Sequence, residues 1–369
     1  MIEKRFIIEK LNKLVESFEK TLYEKDEIFL KNMKKNNLSN DDINKYQYWE
    51  WTQGVGLYGL WILFKKTDEN RYLDIIIKYY ENQFKLGLPS KNINTTAPLL
   101  TLSYLYEHTK NNKYLKICKE WAEWLMKNLP RTEEGGFQHI TSDSENKQEL
   151  WDDTLFMAVL FLAKIGMILN NYSYIEEAKY QFLIHIKYLT DKESGLWFHG
   201  WTFREKHNFS KALWGRGNCW ATMAIPILIE ILSLEGSIKK YLVETLHSQV
   251  KSLKLYQDTK GMWHTLINDK TSYLEASATC GLAYGILKAI SMGLLNSKYE
   301  SCALKALKSV LDLIDEQGIV SQVSYGTSMG RENKDFYKKI PIKPMPYGQA
   351  IAILFLIEVI NYYDKNSIK

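Results

Sequence analysis

Residues that could donate a proton or bind a sugar are concentrated in two stretches of the chain. The first contains ELWDDTLFM and places Asp152 and Asp153 beside Trp151, and the second runs from WFHGW to WGRGNCW. An Asp before an apolar run commonly caps a helix, and we expect that role for Asp152. One acid is enough to cap the helix, so the second, Asp153, is available for another role. A partly dry, aromatic environment would favour its acid form, as a general acid needs.

The WGRGNCW stretch combines flat aromatic rings with a cation. Trp214 and Trp220 could stack on sugar rings, while Arg216 offers a planar fork that suits a carboxylate. The alternative is a structural Arg held between two core tryptophans. Gly215 and Gly217 do not predict a phosphate loop, because a GxG pair without a preceding strand is a weak signal.

Two histidines, His139 in GGFQHI and His199 in WFHGW, lie in loops among aromatic residues. Together with Cys219 they could suggest zinc, but no HxxxH or CxxC spacing supports such a site. We therefore expect no metal and no cofactor.

The elements that must position these residues belong to an ordinary globular chain. It has 369 residues, 46% hydrophobic and 25% charged, and a net charge of +5 without a basic arm, which argues against a nucleic-acid partner. No apolar stretch approaches about 20 residues and the N-terminus does not resemble a signal peptide, so we expect no membrane association. The four cysteines are widely spaced, and the sequence therefore predicts a cytoplasmic protein. We expect it to be a monomer or a weak homo-oligomer.

Apolar residues recur at helical spacing along nearly the whole chain. The pattern predicts twelve helices, at 3–30, 47–65, 70–85, 94–109, 112–128, 152–169, 172–190, 210–233, 237–255, 272–291, 297–315 and 345–364. Short turns alternate with longer connections, around 31–46, 86–93, 129–151, 191–209, 256–271 and 316–344. Since short turns join antiparallel helices, the long loops should share one face.

Helices that follow the long loops are apolar on most sides, as in GVGLYGLWILF, and such helices are buried between others. Their partners, such as YLDIIIKYYENQFK, are amphipathic. Six helices of each kind in alternation predict an all-α fold, an (α/α)6 barrel of six helical hairpins. We expect residues 1–369 to form a single catalytic domain. An open α-solenoid is the alternative, although its ends would need polar caps.

Several stretches resemble one known family. LPRTEEGGFQH, LWDDTLFMAVLFLAKIG, FHGW and WGRGNCW are similar to glycoside hydrolase family 105, the unsaturated rhamnogalacturonyl hydrolases, which are related to the unsaturated glucuronyl hydrolases of family 88. The resemblance runs from WEWTQGVGLYGL through NINTTAPLLTL and SYLEASATCGLAYG to GTSMGRENKDFY and PMPYGQA. It thus covers most of the chain, and it implies the same (α/α)6 barrel.

The resemblance implies a reaction on oligosaccharides released by polysaccharide lyases, whose terminal uronic acid carries a C4=C5 double bond. In this family a single Asp protonates C4 and activates the water that adds at C5, after which a hemiketal opens and expels the neighbouring sugar. Such a hydration does not need the two-carboxylate geometry of ordinary glycosidases. We expect unsaturated galacturonyl-rhamnose from rhamnogalacturonan, a pectin component, as the oligosaccharide substrate.

By position in W-x-D-x-L-F-M, the resemblance places the catalytic role on Asp153. It implies that the substrate is bound by residues of the long loops and helix starts: Trp51, Asn94, His139, Trp151, His199, Trp201, Trp214, Arg216 and Trp220. The chain departs from the family in having Asn94 where many relatives carry Asp, and Trp51 where they carry Tyr. In addition, Ile140 stands where some relatives carry Lys.

Other functions on the same pattern stay open at this point. The enzyme could be an unsaturated glucuronyl hydrolase acting on another polymer, a sugar epimerase or a two-acid glycosidase. A helical sugar-binding scaffold without activity is a further alternative, although a scaffold does not require Asp, His and Trp residues gathered in the same loops.

Overall fold

The computed structural model describes residues 2–24, 27, 30–31 and 48–366, and helices dominate them. The α-helices are α1 (Lys4–Thr21), α2 (Trp51–Thr67), α3 (Asn70–Leu86), α4 (Ile93–Thr96), α5 (Pro98–Thr109), α6 (Asn112–Lys127), α7 (Leu160–Leu169), α8 (Tyr172–Leu189), α9 (Gly215–Leu232), α10 (Gly236–Tyr256), α11 (Ala276–Ser291), α12 (Glu300–Asp312) and α13 (Pro346–Asn366). None of them is both long enough and apolar enough to cross a bilayer.

Smaller elements connect the helices. A π-helical segment, Leu155–Val159, leads into α7, and 3-10 turns occupy Ser297–Tyr299 and Lys334–Lys339. The strands are short: β1 (Glu149–Trp151), β2 (Gly200–Thr202), β3 (Trp263–His264) and β4 (Leu274–Glu275). Strands β3 and β4 pair antiparallel.

The predicted all-α class is confirmed, and each predicted helix has an observed counterpart among the described residues. Several boundaries were wrong. The helix predicted over 94–109 is divided into α4 and α5, because Pro98 has no N–H to donate. The helix predicted from 210 begins at Gly215, and the one predicted from 272 begins at Ala276, after β4. The predicted connection at 31–46, apart from Lys31, lies outside the described residues, as does most of 25–30 in the first predicted helix.

Two kinds of helix are distinguished by burial, as their compositions predicted. Residues 215–229 of α9, 276–287 of α11 and 347–360 of α13 are buried without interruption, because these helices are apolar all round. In α3 and α6 the buried residues instead follow one face, with spacings of 4, 3, 1 and 3: Tyr72, Ile76, Tyr79, Tyr80 and Gln83, and Tyr114, Cys118, Trp121, Ala122 and Leu125.

One compact unit of the chain comprises Glu19–Leu150 and Thr154–Ile184 and contains α2 to α7. Helix α2 packs on α3 and α5, and α5 packs on α6 and α7. Gly54 allows α2 to approach the α4–α5 junction, since an added Cβ would lie 2.7 Å from the Pro98 nitrogen. The Trp49 indole N–H donates to the Thr95 carbonyl at 2.8 Å and holds the same junction.

The second unit comprises Met1–Phe18, Trp151–Asp153 and His185–Lys369 and contains α9 to α13. Helix α11 packs on α9, α12 and α13. Small residues permit the close approach of α11 to α9: a Cβ at Gly285 would lie 2.5 Å from the Thr222 carbonyl oxygen, and one at Gly281 would lie 2.7 Å from Cys219 Sγ. This packing fixes the start of α9.

Candidate active site

Backbone hydrogen bonds align the predicted catalytic stretches within the second unit. The Asp152 N–H donates to the His199 carbonyl at 3.1 Å, and the His199 N–H donates to the Ala212 carbonyl at 3.2 Å. Asn218, in the first turn of α9, anchors the same stretch: its side chain accepts from the Trp197 N–H and donates to the Trp197 carbonyl, both at 2.8 Å. These bonds bring the adjacent aspartates, His199 and the start of α9 together.

The adjacent aspartates have different surroundings. Asp152 is fully buried, whereas the side chain of Asp153 is 18% exposed. Burial, together with the neighbouring carboxyl of Asp153, raises the pKa of Asp152 well above its usual range. Asp152 therefore keeps its proton to higher pH than an ordinary Asp does.

The carboxyl of Asp152 does not have the capping role expected for it. It lies against Gly217 of α9, where an added Cβ would be 2.8 Å from Asp152 Cγ. The helical residues begin at Asp153, and neither carboxyl oxygen of Asp152 has the hydrogen-bond geometry of a cap to that turn. Asp152 thus supplies a buried acid beside Asp153.

His199 is the group that faces Asp153. Its Nε2 is 3.5 Å from Asp153 Oδ2, and its Nδ1 is 2.7 Å from the hydroxyl of Tyr337. Three aromatic rings surround the buried imidazole, with centroids 4.9 Å away for Trp151, 4.3 Å for Trp214 and 5.7 Å for Tyr337. This enclosure restrains the orientation of the imidazole and excludes water from one side of Asp153.

The donor atoms of Asp152, Asp153 and His199 lie within 4.8 Å of one another, a separation that can also suit a divalent cation. The buried guanidinium of Arg216 acts electrostatically on Asp153 and already supplies positive charge there. The guanidinium is itself 3.8 Å from the buried carboxylate of Glu275. The zinc set considered from the sequence, which includes His139 and Cys219, differs from this group.

Arg216, whose role in binding substrate stays a prediction, is held by several contacts at the start of α9. It is buried, and its guanidinium lies 4.7 Å from the centroid of the Trp214 ring and 4.9 Å from that of Tyr347. Its terminal nitrogens donate to the Ser324 carbonyl at 3.0 Å, the Tyr325 carbonyl at 3.1 Å and the Thr327 hydroxyl at 3.0 Å. The guanidinium is therefore engaged with the loop 324–327 in this conformation.

The other predicted tryptophans differ in accessibility. Trp220 is fully buried within α9, so its ring faces other core residues in this conformation. Trp201 is half-buried and packs against Tyr188 and Phe203, at ring-centroid distances of 4.9 and 6.3 Å. Substrate binding by these residues stays a prediction.

Three predicted binding residues belong to the first unit. His139 is buried, with its Nδ1 2.7 Å from the Thr154 hydroxyl. Trp51 and Asn94 are half-buried. Asn94 is a hydrogen-bond partner of Glu50, whose pKa is raised to about 8 by burial.

Sequence reasoning missed Glu50, Tyr337 and Asn218. Glu50 stands between two tryptophans in WEW and accepts a hydrogen bond from Ser142, which lies 92 residues further along the chain. Tyr337 lies 138 residues from its partner His199. No local spacing reveals such contacts. The one available signal was that Glu50 and Tyr337 occur in stretches that resemble the family.

Comparison with known proteins identifies the family of the chain. A model of Glycosyl Hydrolase Family 88 matches residues 25–363. The chain belongs to this family. It is 33% identical over 316 residues to the unsaturated rhamnogalacturonyl hydrolase YesR of Bacillus subtilis, an alignment that covers 85% of this chain and 90% of the relative.

Solved structures show the same fold. A possible member of family GH105 from Salmonella enterica serovar Paratyphi A superposes with a TM-score of 0.90 at 43% identity, covering 98% of this chain and 96% of that one. The unsaturated glucuronyl hydrolase of Bacillus sp. GL1 superposes with a TM-score of 0.71 at 15% identity, covering 97% of both chains. The predicted (α/α)6 barrel class is thereby confirmed, and the protein is a glycoside hydrolase of this kind.

Proposed function

We propose that the enzyme removes a terminal C4=C5-unsaturated uronic acid from lyase-generated oligosaccharides, with unsaturated galacturonyl-rhamnose as the preferred substrate and Asp153 as the general acid and base. The name of the Bacillus subtilis relative supports the substrate class. The observation that carries the catalytic assignment is the position of Asp153: it is the accessible member of a carboxyl pair and is enclosed on one side by His199 and its aromatic neighbours.

The chemistry needs one carboxyl that acts twice. Asp153 first donates its proton to C4, which leaves a cation shared by C5 and the ring oxygen. The resulting carboxylate then takes a proton from water, and the water oxygen bonds to C5. The hemiketal opens by breaking the bond between C5 and the ring oxygen. The hemiacetal left at C1 then releases the neighbouring sugar as an alcohol. One water is consumed, and no second catalytic carboxylate is required.

The test follows the ultraviolet absorbance of the unsaturated uronate on lyase-generated rhamnogalacturonan oligosaccharides. We expect the absorbance to fall as the reducing-end sugar is released. Asp153→Asn should lower turnover by about 100-fold or more with an unchanged circular dichroism spectrum, because the amide cannot donate the proton. Asp74→Asn on the exposed face of α3 is the matched control and should match wild type.

Each of the other outcomes would replace part of the proposal. Turnover only on unsaturated glucuronyl oligosaccharides would change the substrate and keep the mechanism. Conversion with the double bond retained would indicate an epimerase. Full activity of Asp153→Asn would remove the catalytic assignment.

A further inference from the structure

Tyr337 is held against His199 by several contacts. The tyrosine is fully buried in the 3-10 turn Lys334–Lys339, and its hydroxyl accepts a hydrogen bond from the Gly330 N–H at 3.0 Å. The Gly330 carbonyl in turn accepts from the Ser210 hydroxyl at 2.6 Å. A side chain at Gly330 would not fit, since an added Cβ would lie 2.5 Å from Tyr337 Cε2.

These contacts determine where the phenolic proton goes. Because the Gly330 N–H occupies one lone pair of the hydroxyl oxygen, the O–H itself is available to a second partner. His199 Nδ1 lies at 2.7 Å, whereas the competing acceptor, Met329 Sδ, lies at 3.8 Å and is a weak acceptor. With Nδ1 accepting, a neutral imidazole carries its hydrogen on Nε2, the atom that faces Asp153.

We propose that Tyr337 is a positioning residue that fixes His199 in the Nε2–H tautomer, so that the Nε2 hydrogen, and not a lone pair, faces Asp153 Oδ2 at an N···O distance of 3.5 Å. This inference rests on the proposed role of Asp153. The opposite tautomer would present a bare Nε2 to the Asp153 carboxyl, which could then lose its proton to the imidazole instead of to C4. The charged groups that face Tyr337 are Asp152, Asp153 and Arg331.

The chain offers a matched control for removing this hydroxyl. Tyr299 and His247 form a second tyrosine–histidine pair, with the hydroxyl 3.0 Å from Nε2 and the rings edge-to-face at 5.8 Å, close to the 5.7 Å of Tyr337 and His199. Tyr337→Phe should lower kcat by about 10-fold or more while KM changes little, because the hydrogen bond that orients His199 towards Asp153 is lost and no substrate contact is removed. Tyr299→Phe should leave both constants as in wild type.

A second measurement does not depend on turnover. Nitrogen-15 NMR of histidine-labelled enzyme, with His199 assigned by its loss in His199→Gln, should show one bare nitrogen at Nδ1 and one protonated nitrogen at Nε2. In Tyr337→Phe the two nitrogens should move towards a mixture of tautomers. If wild-type His199 carries its hydrogen on Nδ1, or on both nitrogens, the inference is wrong.

The two measurements separate this inference from the proposed function. Absence of turnover on every unsaturated oligosaccharide would remove the proposed function, while the NMR spectrum would still report the tautomer. Normal kcat in Tyr337→Phe with an unchanged His199 spectrum would overturn the inference and leave the proposed function intact. Should Tyr337→Phe fail to fold, the wild-type spectrum decides.

Discussion

Asp152 and Asp153 are neighbours in sequence, but burial gives them different chemistry. Asp152 is shielded from water and its pKa is raised, whereas Asp153 keeps partial access to solvent. Burial and the neighbouring carboxyl of Asp153 both favour the protonated form of Asp152. Under the proposed mechanism, we expect this proton to serve as a reserve for Asp153.

Removal of that reserve should be visible in the pH profile. In Asp152→Asn the remaining carboxyl titrates alone and accepts a hydrogen bond from the substituted amide, which favours its charged form. The alkaline limb of kcat/KM should therefore move to lower pH, by about one pH unit or more. Kinetics across pH 4–9 check this. A profile equal to that of wild type would show that Asp152 only fills space.

An Arg between two tryptophans, such as Arg216, is compatible both with binding a substrate carboxylate and with holding a loop in place. Its spacing from the tryptophans suits a carboxylate fork, yet the structure engages its donors with loop 324–327. The Tyr347 hydroxyl also donates to this loop, with its oxygen 2.5 Å from the Ser324 carbonyl oxygen. A substrate carboxylate that bound the two terminal nitrogens of Arg216 would have to displace some of these bonds.

At the scale of elements, the start of α9 must accommodate Asp152. Gly217→Ala would place a methyl group against the buried carboxyl, and neither the helix backbone nor the buried pair can move aside. We expect a loss of about 1–3 kcal/mol in the free energy of unfolding and a marked loss of activity. Urea unfolding and initial rates measure both effects. Gly326→Ala is the control because nothing lies within 4 Å of an added Cβ there, and equal effects of the two substitutions would contradict the argument.

The sequence predicted elements better than contacts. Helices such as α3 and α9 followed from apolar periodicity, because an apolar face or an apolar surround dictates burial. The break at Pro98 was readable in principle from its missing N–H. The contact between Tyr337 and His199 could not be predicted, because it depends on the three-dimensional arrangement of loops that are far apart in sequence. A role that depends on the residue type, such as the acid role of Asp153, could be proposed from the sequence. The residues that contact it in the fold could not.

At the scale of the whole molecule, buried acids couple folding to pH in both compact units. Asp152 lies in one unit and Glu50, at the N-cap of α2, in the other. Burial is the main cause of the raised pKa of each. Since burial favours their protonated forms, both groups make the folded state less stable as the pH rises.

The sign of this effect can be worked out for Glu50, whose pKa rises from 4.5 to about 8 on folding. Below pH 4.5 the carboxyl is protonated in both states and adds no penalty. Between pH 4.5 and 8 the unfolded chain loses its proton first, so the free energy of unfolding falls as pH rises. Glu50→Gln removes this contribution and should stabilise the protein at pH 8–9 by a few kcal/mol, at about 1.4 kcal/mol per pKa unit, with little change at pH 4. The amide oxygen can still accept from Ser142.

Urea unfolding of wild type and Glu50→Gln at a series of pH values measures this difference directly. Glu235→Gln is the matched control, since Glu235 is an exposed N-cap on α10 whose side chain makes no capping bond. Its curve should run parallel to that of wild type. If Glu50→Gln also runs parallel, Glu50 is ionised in the folded protein and its carboxylate is stabilised by Ser142 and Asn94. The buried carboxyl at the N-cap of α2 would then carry a negative charge instead of being neutral.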